Sequence, residues 1–471
     1  MRKRDTTLTT DQKALAINLD KFKYGSIVEI GAGQEVARRF FSVGAAAGTI
    51  AKTMSAYDMA VSDDIYGHAD RYVSRARLLQ MLDKEFSLVV KRLTHVRPKN
   101  TTFFAYAATV TARSFKQKNE CHGWVGIRLQ LHPGAEPSDV VMHVRMLDND
   151  NAQQADALGI LGVNLVYGAF QHYHHPEWVI EGLADGLGSD RIEVDLIHFS
   201  GPYFEEVENR LMNLHLIRSW LTRAVVFNPA GEVVVPGELL YRKPVMVMRG
   251  SFKPVTLVNV DMMSAGLKQF SQIAAVDENE ILPLAEVTMN SLISGDNVDG
   301  ADFLARIDLL ASQGYTVMIS DYVRFFRLRA YFRRYTQKPI GIVLSVRDFA
   351  FLFDEKYYEG LEGGILEAFG KLFPDNTHGD VSPARPRRGD ATSLTTLDSV
   401  EVPPNLRHLL AYLKESQKLL AVEPHDDSHL HIDVAEVLAG LRQGRGEWEE
   451  DVPPAVAERI IGSRLLGFDT E

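Results

Sequence analysis

One cysteine among 471 residues, Cys121, rules out an intrachain disulfide and any zinc site built from several thiolates. Long apolar runs are missing too: no segment approaches the ~18 consecutive apolar residues of a membrane-spanning helix. Met1-Arg2-Lys3-Arg4 carries the charge of a signal-peptide start, but the polar run Asp5 to Lys13 follows where an apolar segment is required. A cytoplasmic location is the resulting expectation, with no membrane partner. Basic residues are in deficit, 51 Lys and Arg against 62 Asp and Glu, for a formal net charge of -11. Neutralising a nucleic-acid backbone takes a concentrated basic surface, so nucleic acid is not expected as the main partner. No solenoid-type repeat is present.

What is present is an ordinary globular composition, 45% hydrophobic, over a length that predicts two or three domains. The pattern of elements predicts an α/β protein, with mixed to parallel sheets and flanking helices, in two domains plus a small helical C-terminal segment. Residues 1–223 read as an N-terminal α/β domain: a strand at Ser26 to Ile30, a helix from about Gln34, a helix at Tyr72 to Leu93 and β-rich runs up to Leu147. The following segment has no obvious second strand. Residues 224–256 read as a β meander with Asn-Pro-Ala-Gly and Pro-Gly turns. Residues 257–374 alternate strand and helix, the pattern of a parallel sheet, which puts ligands beyond the strand ends near Ile293 to Val298, Asp321 and Arg347. The proline-rich, polar stretch 375–405 reads as a mobile linker open to proteolysis near Arg385, Arg387 or Arg388. Residues 406–471 read as helical.

The densest chemistry lies in Ile27-Val-Glu-Ile-Gly31-Ala-Gly33-Gln34-Glu-Val-Ala, an apolar strand that breaks on Gly-x-Gly and continues as an amphipathic helix. Such a turn brings backbone amides at the positive end of a helix dipole close to a phosphate. Val36 replaces the third glycine of a dinucleotide fingerprint, and a tight strand-to-helix turn accounts equally for the two that remain. Glu29-Ile-Gly-Ala-Gly33 also matches the first motif of methyltransferases that use S-adenosylmethionine. Beyond it, Lys52 and Thr53 could hold phosphate and Asp58 could act as acid or base, although Asp and Ser also cap helices. Arg324, at the end of the Tyr315 to Ser320 strand, is a second candidate anion contact, with Arg327 on the same face.

Histidines group at His172, His174 and His175 with Glu177, and at His425, His429 and His431 with Asp426, Asp427 and Asp433. Alternation along a strand would put His429, His431 and Asp433 on one face, but Asp433 equally suits a helix N-cap, and no metal is assigned. Asp296, Asp299 and Asp302 lack the full spacing of a calcium loop, and a turn followed by a helix cap explains them.

The runs Glu29 to Arg38, Gly48 to Asp58, Phe353 to Tyr358 and Gly363 to Phe369 resemble a bacterial family without an established mechanism. Some members are labelled nicotinate- or nicotinamide-nucleotide adenylyltransferases. Such enzymes carry His-x-Gly-His and Ile-Ser-x-x-x-x-Arg; here Gly67-His68 lacks the first histidine and Arg324 follows Ile319-Ser320 one residue early, so no catalytic residue carries over. The resulting expectation is a cytoplasmic protein that binds a nucleotide or phosphorylated small molecule and acts as a transferase. Gly31, Gly33, Gln34, Thr53 and Arg324 would contact the ligand, and Lys52 and Asp58 would do the chemistry; no cofactor is named. Two alternatives stay open: a methyltransferase, and a non-catalytic homo-oligomeric scaffold in which Gly44 to Gly48 serves close packing.

Overall fold

The computed structural model describes residues 7–113, 120–294, 297–374, 376–385, 394–423 and 428–468. The chain divides into two compact units, Met1–Arg223 and Ala224–Glu471.

In the first unit Thr9 and Gln12 form a reciprocal capping box at the start of α1 (Thr10–Asn18). Next come β1 (Lys23–Ile30), α2 (Glu35–Ser42), β2 (Ile50–Met54), α3 (Met59–Tyr66) and α4 (Arg75–Leu93). A second strand therefore does follow the Gly-x-Gly helix, because Ile50–Met54 pairs parallel with β1. It escapes notice since its own burial is partial. Helix α4 begins three residues later than its apolar spacing suggests, where the Ser74 side chain accepts the Arg77 amide. Its apolar stripe Leu78, Met81, Leu82, Phe86 and Val89 is buried as the periodicity predicts.

The rest of the unit is β3 (Thr102–Thr111), β4 (His122–Leu129), β5 (Ser138–Met146), α5 (Asn151–Gln171), α6 (Pro176–Leu183), β6 (Ile192–Ser200) and α7 (Asn209–Arg218). The sheet order is β2-β1-β3-β4-β5-β6, with β1 parallel to both neighbours and the later strands antiparallel. Its core joins Ala14, Ile17, Phe40, Leu161 and Leu165 from the helices to Phe104, Tyr106, Ile127 and Met142 from the strands. The small-residue run is fastened from within: buried Asn18 donates through Nδ2 to the carbonyls of Phe40 (2.8 Å) and Gly44 (2.7 Å).

The second unit opens with β7 (Ala224–Phe227), β8 (Val233–Val234), α8 (Pro236–Leu239), β9 (Val245–Arg249), α9 (Leu257–Ala274) and β10 (Leu282–Thr288). After the short pair β11 (Ile293–Ser294) and β12 (Asn297–Val298) come α10 (Gly300–Ala311), β13 (Thr316–Ser320), α11 (Phe325–Phe332), β14 (Ile340–Ser345), α12 (Val346–Leu352), α13 (Gly364–Leu372) and β15 (Thr377–Ser382). The remaining elements are α14 (Arg407–Glu415), β16 (Leu419–Ala421), α15 (Val434–Arg442) and α16 (Pro454–Ser463). The sheet runs β16-β15-β14-β9-β10-β13-β7-β8; the six strands from β16 to β13 in that order pair in parallel, and β7 and β8 finish one edge antiparallel. From β9 the chain builds outward through β10 to β13, then returns to lay β14, β15 and β16 on the other side. This is a doubly wound order, and its crevice opens where β9 and β14 lie side by side.

Three sequence expectations need correction here. The expected meander at 224–256 is not a separate element: β7 and β8 form the sheet's edge, while β9 is its centre. Val-Met-Val-Met is a short continuous apolar run, the signature of a strand buried on both faces rather than of a meander. The expected linker 375–405 contains β15, whose six residues are all buried between β14 and β16. Polar Thr-His-Gly-Asp-Val-Ser passes for loop composition, but its polarity is satisfied inside, as where Gln269 Nε2 donates to Asp380 Oδ1 at 2.6 Å. Arg385 belongs to the described chain, whereas Arg387 and Arg388 lie outside the described residues. The helical segment 406–471 also supplies a strand, β16.

Gly31 has φ +111°, and a Cβ there would sit 1.8 Å from the Val110 carbonyl oxygen of β3; Gly44, at φ +82°, has nothing within 4 Å. Gly31→Ala should therefore cost about 3 kcal/mol or more, and Gly44→Ala about 1 kcal/mol of backbone strain alone. Urea melts of both variants check this ordering, which would be reversed if the β1 turn were slack.

Candidate functional site

The Gly-x-Gly turn ends β1 as expected, but its amide donors are occupied by the protein itself. Glu29, buried on β1, accepts the Val36 and Ala37 amides with its two carboxylate oxygens, each at 3.0 Å. An internal carboxylate thus sits at the start of α2, where a bound phosphate would have to sit. The Gly33 amide donates to the Tyr57 hydroxyl at 3.0 Å, and the Ser55 hydroxyl donates to the Glu29 carbonyl. Gln34 is the exposed N-cap of α2, and its side chain makes no capping bond. Burial pushes the Glu29 carboxyl up to about 7, against the lowering exerted by the two amides.

Lys52 and Asp58 are not joined by any hydrogen bond or ion pair among the described residues. Lys52 Nζ lies 2.6 Å from Oε2 of Glu85, a carboxylate only 1% exposed, whose other oxygen accepts from the Tyr66 hydroxyl at 3.0 Å. Asp58 is the exposed N-cap of α3, accepting the Val61 amide at 3.0 Å. Thr53 is half-buried on β2. Their arrangement is that of one partly exposed lysine paired with a buried carboxylate and one helix cap.

The histidine groups separate as well. His175 stacks on Trp178 and His172 packs edge-on against Tyr167 and Trp178. His429 pairs with Asp261, while His431 faces Asp451 at 3.9 Å. Asp433 caps α15 through the Ala435 amide, and Asp299 caps α10 through the amides of Ala301 and Asp302. His425, Asp426, Asp427 and Asp296 lie outside the described residues. Among the described residues no cluster of three or more His, Cys, Asp or Glu could hold a metal ion.

The second unit presents a concave site. A cavity of about 790 Å³ lies at the carboxyl ends of β9, β10 and β14, the crevice that the strand order creates. Its lining is divided. Met248, Val258, Met262, Leu344, Phe351 and Leu352 form apolar walls, and Arg249, Lys253, Arg306, Arg324 and Arg347 bring cations to it.

Buried carboxylates hold most of these cations in place. Arg249, closing β9, is gripped by fully buried Glu286 of β10, Nε to Oε2 at 2.5 Å and Nη2 to Oε1 at 3.0 Å, and its face lies 4.2 Å from the Phe325 ring centroid. Lys253 and Arg306 share one carboxylate, Asp302, with Lys253 Nζ 2.8 Å from Oδ1 and Arg306 bonded to Oδ2. Arg347 faces Asp433 at 3.4 Å. Arg324, the N-cap of α11, is half-buried, and its guanidinium makes no hydrogen bond or ion pair among the described residues. Positive charge thus exceeds its counter-ions twice over, at Arg324 and at the pair that divides Asp302.

Asp348, in the first turn of α12, opens into the same cavity. Although the Asp348 residue is exposed, the walls around its carboxyl raise its pKa, and Arg347 pulls the other way. Burial pushes the Tyr358 hydroxyl up to about 12, with the field of Arg324 opposing, and this hydroxyl donates to the Leu352 carbonyl at 2.9 Å. Of the residues singled out from sequence, Arg324, Arg347 and Asp433 therefore meet in one cavity. Arg327 stays exposed outside it. Arg249, Lys253, Arg306 and Asp348 went unrecognised; the available signal was Arg249-Gly-Ser-Phe-Lys253 directly after an apolar strand.

No family model matches the chain, and no curated protein matches it. Solved structures similar to parts of it include a competence/damage-inducible protein of Agrobacterium tumefaciens, at 16% identity and TM-score 0.25 over 36% of this chain and 100% of that one. A competence-damaged superfamily protein of Enterobacter cloacae matches at 12% identity and TM-score 0.27, over 36% and 98%. A Vibrio parahaemolyticus protein, provisionally described as a nicotinate-nucleotide adenylyltransferase, matches at 14% and TM-score 0.23, over 48% and 97%. At these TM-scores the likenesses carry no argument about activity.

Two predictions follow from the first unit. Lys52→Met strands the buried Glu85 charge and should cost about 3 kcal/mol, the low end for breaking a buried pair, whereas Asp58→Asn keeps a good cap and should cost only a few tenths, about 0.3 kcal/mol; thermal melts of both variants would show it. Glu29 keeps its proton in the folded state up to about pH 7, while the unfolded chain loses it near 4.5. Its contribution is complete below about pH 4.5 and is lost as the pH rises through 7, a loss of roughly 3 kcal/mol. The stability difference between wild type and Glu29→Gln should shrink by that order between pH 4.5 and 8 in denaturant titrations; a constant difference would contradict it.

Proposed function

We propose that the second unit binds a phosphorylated small molecule of the nucleotide class in the cavity between the carboxyl ends of β9 and β14. The observation that carries this reading is Arg324, a cation that lines the cavity and has no partner among the described residues. A half-buried guanidinium left without a carboxylate is suited to a planar anion, phosphate or carboxylate, supplied from outside. The excess charge on the Lys253 and Arg306 pair supports it, and the apolar and aromatic walls favour a ligand that carries an organic ring beside its anionic group. The volume lies within the range of small-molecule sites. Asp348, with its raised pKa, is the group suited to move a proton during transfer chemistry. In this reading the Gly31 to Gly33 turn, Lys52 and Asp58 serve the fold of the first unit.

Thermal-shift and calorimetric titration with nucleoside mono-, di- and triphosphates and sugar phosphates tests the proposal. A binding nucleotide should lose about tenfold to hundredfold in affinity on Arg324→Gln, as expected for one charge-assisted contact of about 1.5–3 kcal/mol. Folding of that variant should be unchanged, because the Arg324 guanidinium makes no hydrogen bond or ion pair among the described residues. If no phosphorylated compound binds the wild type, or if Arg324→Gln binds equally well, the assignment fails and the scaffold alternative gains.

A further inference from the structure

The sheet of the first unit carries a second chemical constellation, remote in sequence and used by nothing described so far. His122 opens β4, His143 lies on β5 and Asp195 on β6, three adjacent strands. The pairing of β5 with β6 slips between His143 and Val144, whose partners are Leu196 and Val194, so Asp195 is the extra residue of a β-bulge. A bulge re-aims the side chain it carries. Here Asp195 Oδ1 lies 2.6 Å from His143 Nδ1, and His143 Nε2 lies 3.0 Å from His122 Nδ1. His143 and Asp195 are 4% and 1% exposed, whereas His122 is only partly buried. Trp124 packs edge-on against the His143 ring and fixes its plane.

Hydrogen-bond logic then orients the whole chain. An ionised carboxylate only accepts, so His143 carries its proton on Nδ1 and presents a lone pair at Nε2. That lone pair requires His122 to donate from Nδ1, which leaves His122 Nε2 as an open base; it has no hydrogen-bond partner among the described residues. The second oxygen of Asp195, buried, is also without a partner, so the carboxylate's charge is directed to His143 alone.

We propose that His122, His143 and Asp195 form a proton relay whose outer base, His122 Nε2, deprotonates a hydroxyl group or a water molecule at the surface of the first unit. The substrate O–H proton passes to His122 Nε2 and its electron pair stays on oxygen. The Nδ1 proton of His122 moves to His143 Nε2, and the resulting imidazolium is held by Asp195 through Nδ1–H. Reversal returns the proton from His122 Nε2 to oxygen and the shared proton to His122 Nδ1, so the relay ends as it began. The titratable and charged groups facing His122 are His143, Arg71, Glu120 and Asp195; burial above all holds its pKa below the usual histidine value, with Arg71 adding to this and Glu120 and Asp195 opposing. The ring is therefore neutral and able to accept a proton at pH 7.

Two measurements on the full chain test this. In protein labelled with ¹⁵N at histidine, two-bond ¹H–¹⁵N spectra at pH 7.5 should show both rings protonated at Nδ1; His122 protonated at Nε2 would overturn the proposal without any substitution. Carbethoxylation mapped by mass spectrometry should modify His122 at least as fast as exposed His95, with a pH midpoint for His122 below the usual histidine value. Breaking the relay by His143→Phe should slow His122 about tenfold while leaving His95 unchanged, and Asp195→Asn should do the same where the amide donates to His143. An unreactive His122, or a rate indifferent to His143→Phe in a folded variant, would show that the three residues only satisfy one another inside the sheet.

Discussion

The parallel pairing of β9 with β14, Val245 opposite Ile340 and Met248 opposite Val343, is the constraint on which the second unit depends. Because the chain leaves β9 in one direction and comes back to it from the other, the connections after the two strands diverge to opposite faces and cannot fill the space between them. The cavity is a by-product of winding, and its walls are the residues that happen to end those strands. Arg249 and Ser345 stand at its floor for that reason alone. What makes the space chemically distinctive is the electrostatic furniture added around it.

That furniture follows one rule in both units. Charges are buried with their counter-charge supplied by another segment of the chain, as with Glu286 and Arg249, Asp302 and Lys253, or Glu85 and Lys52. Fixing a guanidinium by a bidentate carboxylate costs desolvation and secures orientation. Arg324 departs from the rule inside the cavity, and Glu29 departs from it in the first unit, where backbone amides replace a cation. One exception leaves a place for an outside anion, and the other fills the corresponding place with a carboxyl group of the protein's own.

Legibility from sequence followed locality. Helix α4, the alternation from Gly300 to Val346 and the caps at Asp299 and Asp433 depend on residues a few positions apart, and they were readable. Arg324 and Arg347 were found because a general rule ties ligands to strand ends. The central position of β9 was not readable, since four apolar residues between turn formers look alike at the edge and the middle of a sheet. β15 was hidden by polar residues whose partners come from α9 and from strands elsewhere in the chain. The histidine relay left no local trace at all: its members stand 21 and 52 residues apart, and a bulge brings the last of them into line.

The burial of β15 has a consequence for how this chain can be divided. A fragment ending before Thr377 would lose β15 and β16 together and leave β14 as a bare margin, with the ladder groups from Ile340 to Ser345 facing outward. Ile-Gly-Ile-Val-Leu-Ser is mostly apolar, without proline and free of charge, the composition that recruits further strands from other molecules. The polar strand whose composition resembles a loop is therefore what keeps the β14 ladder covered.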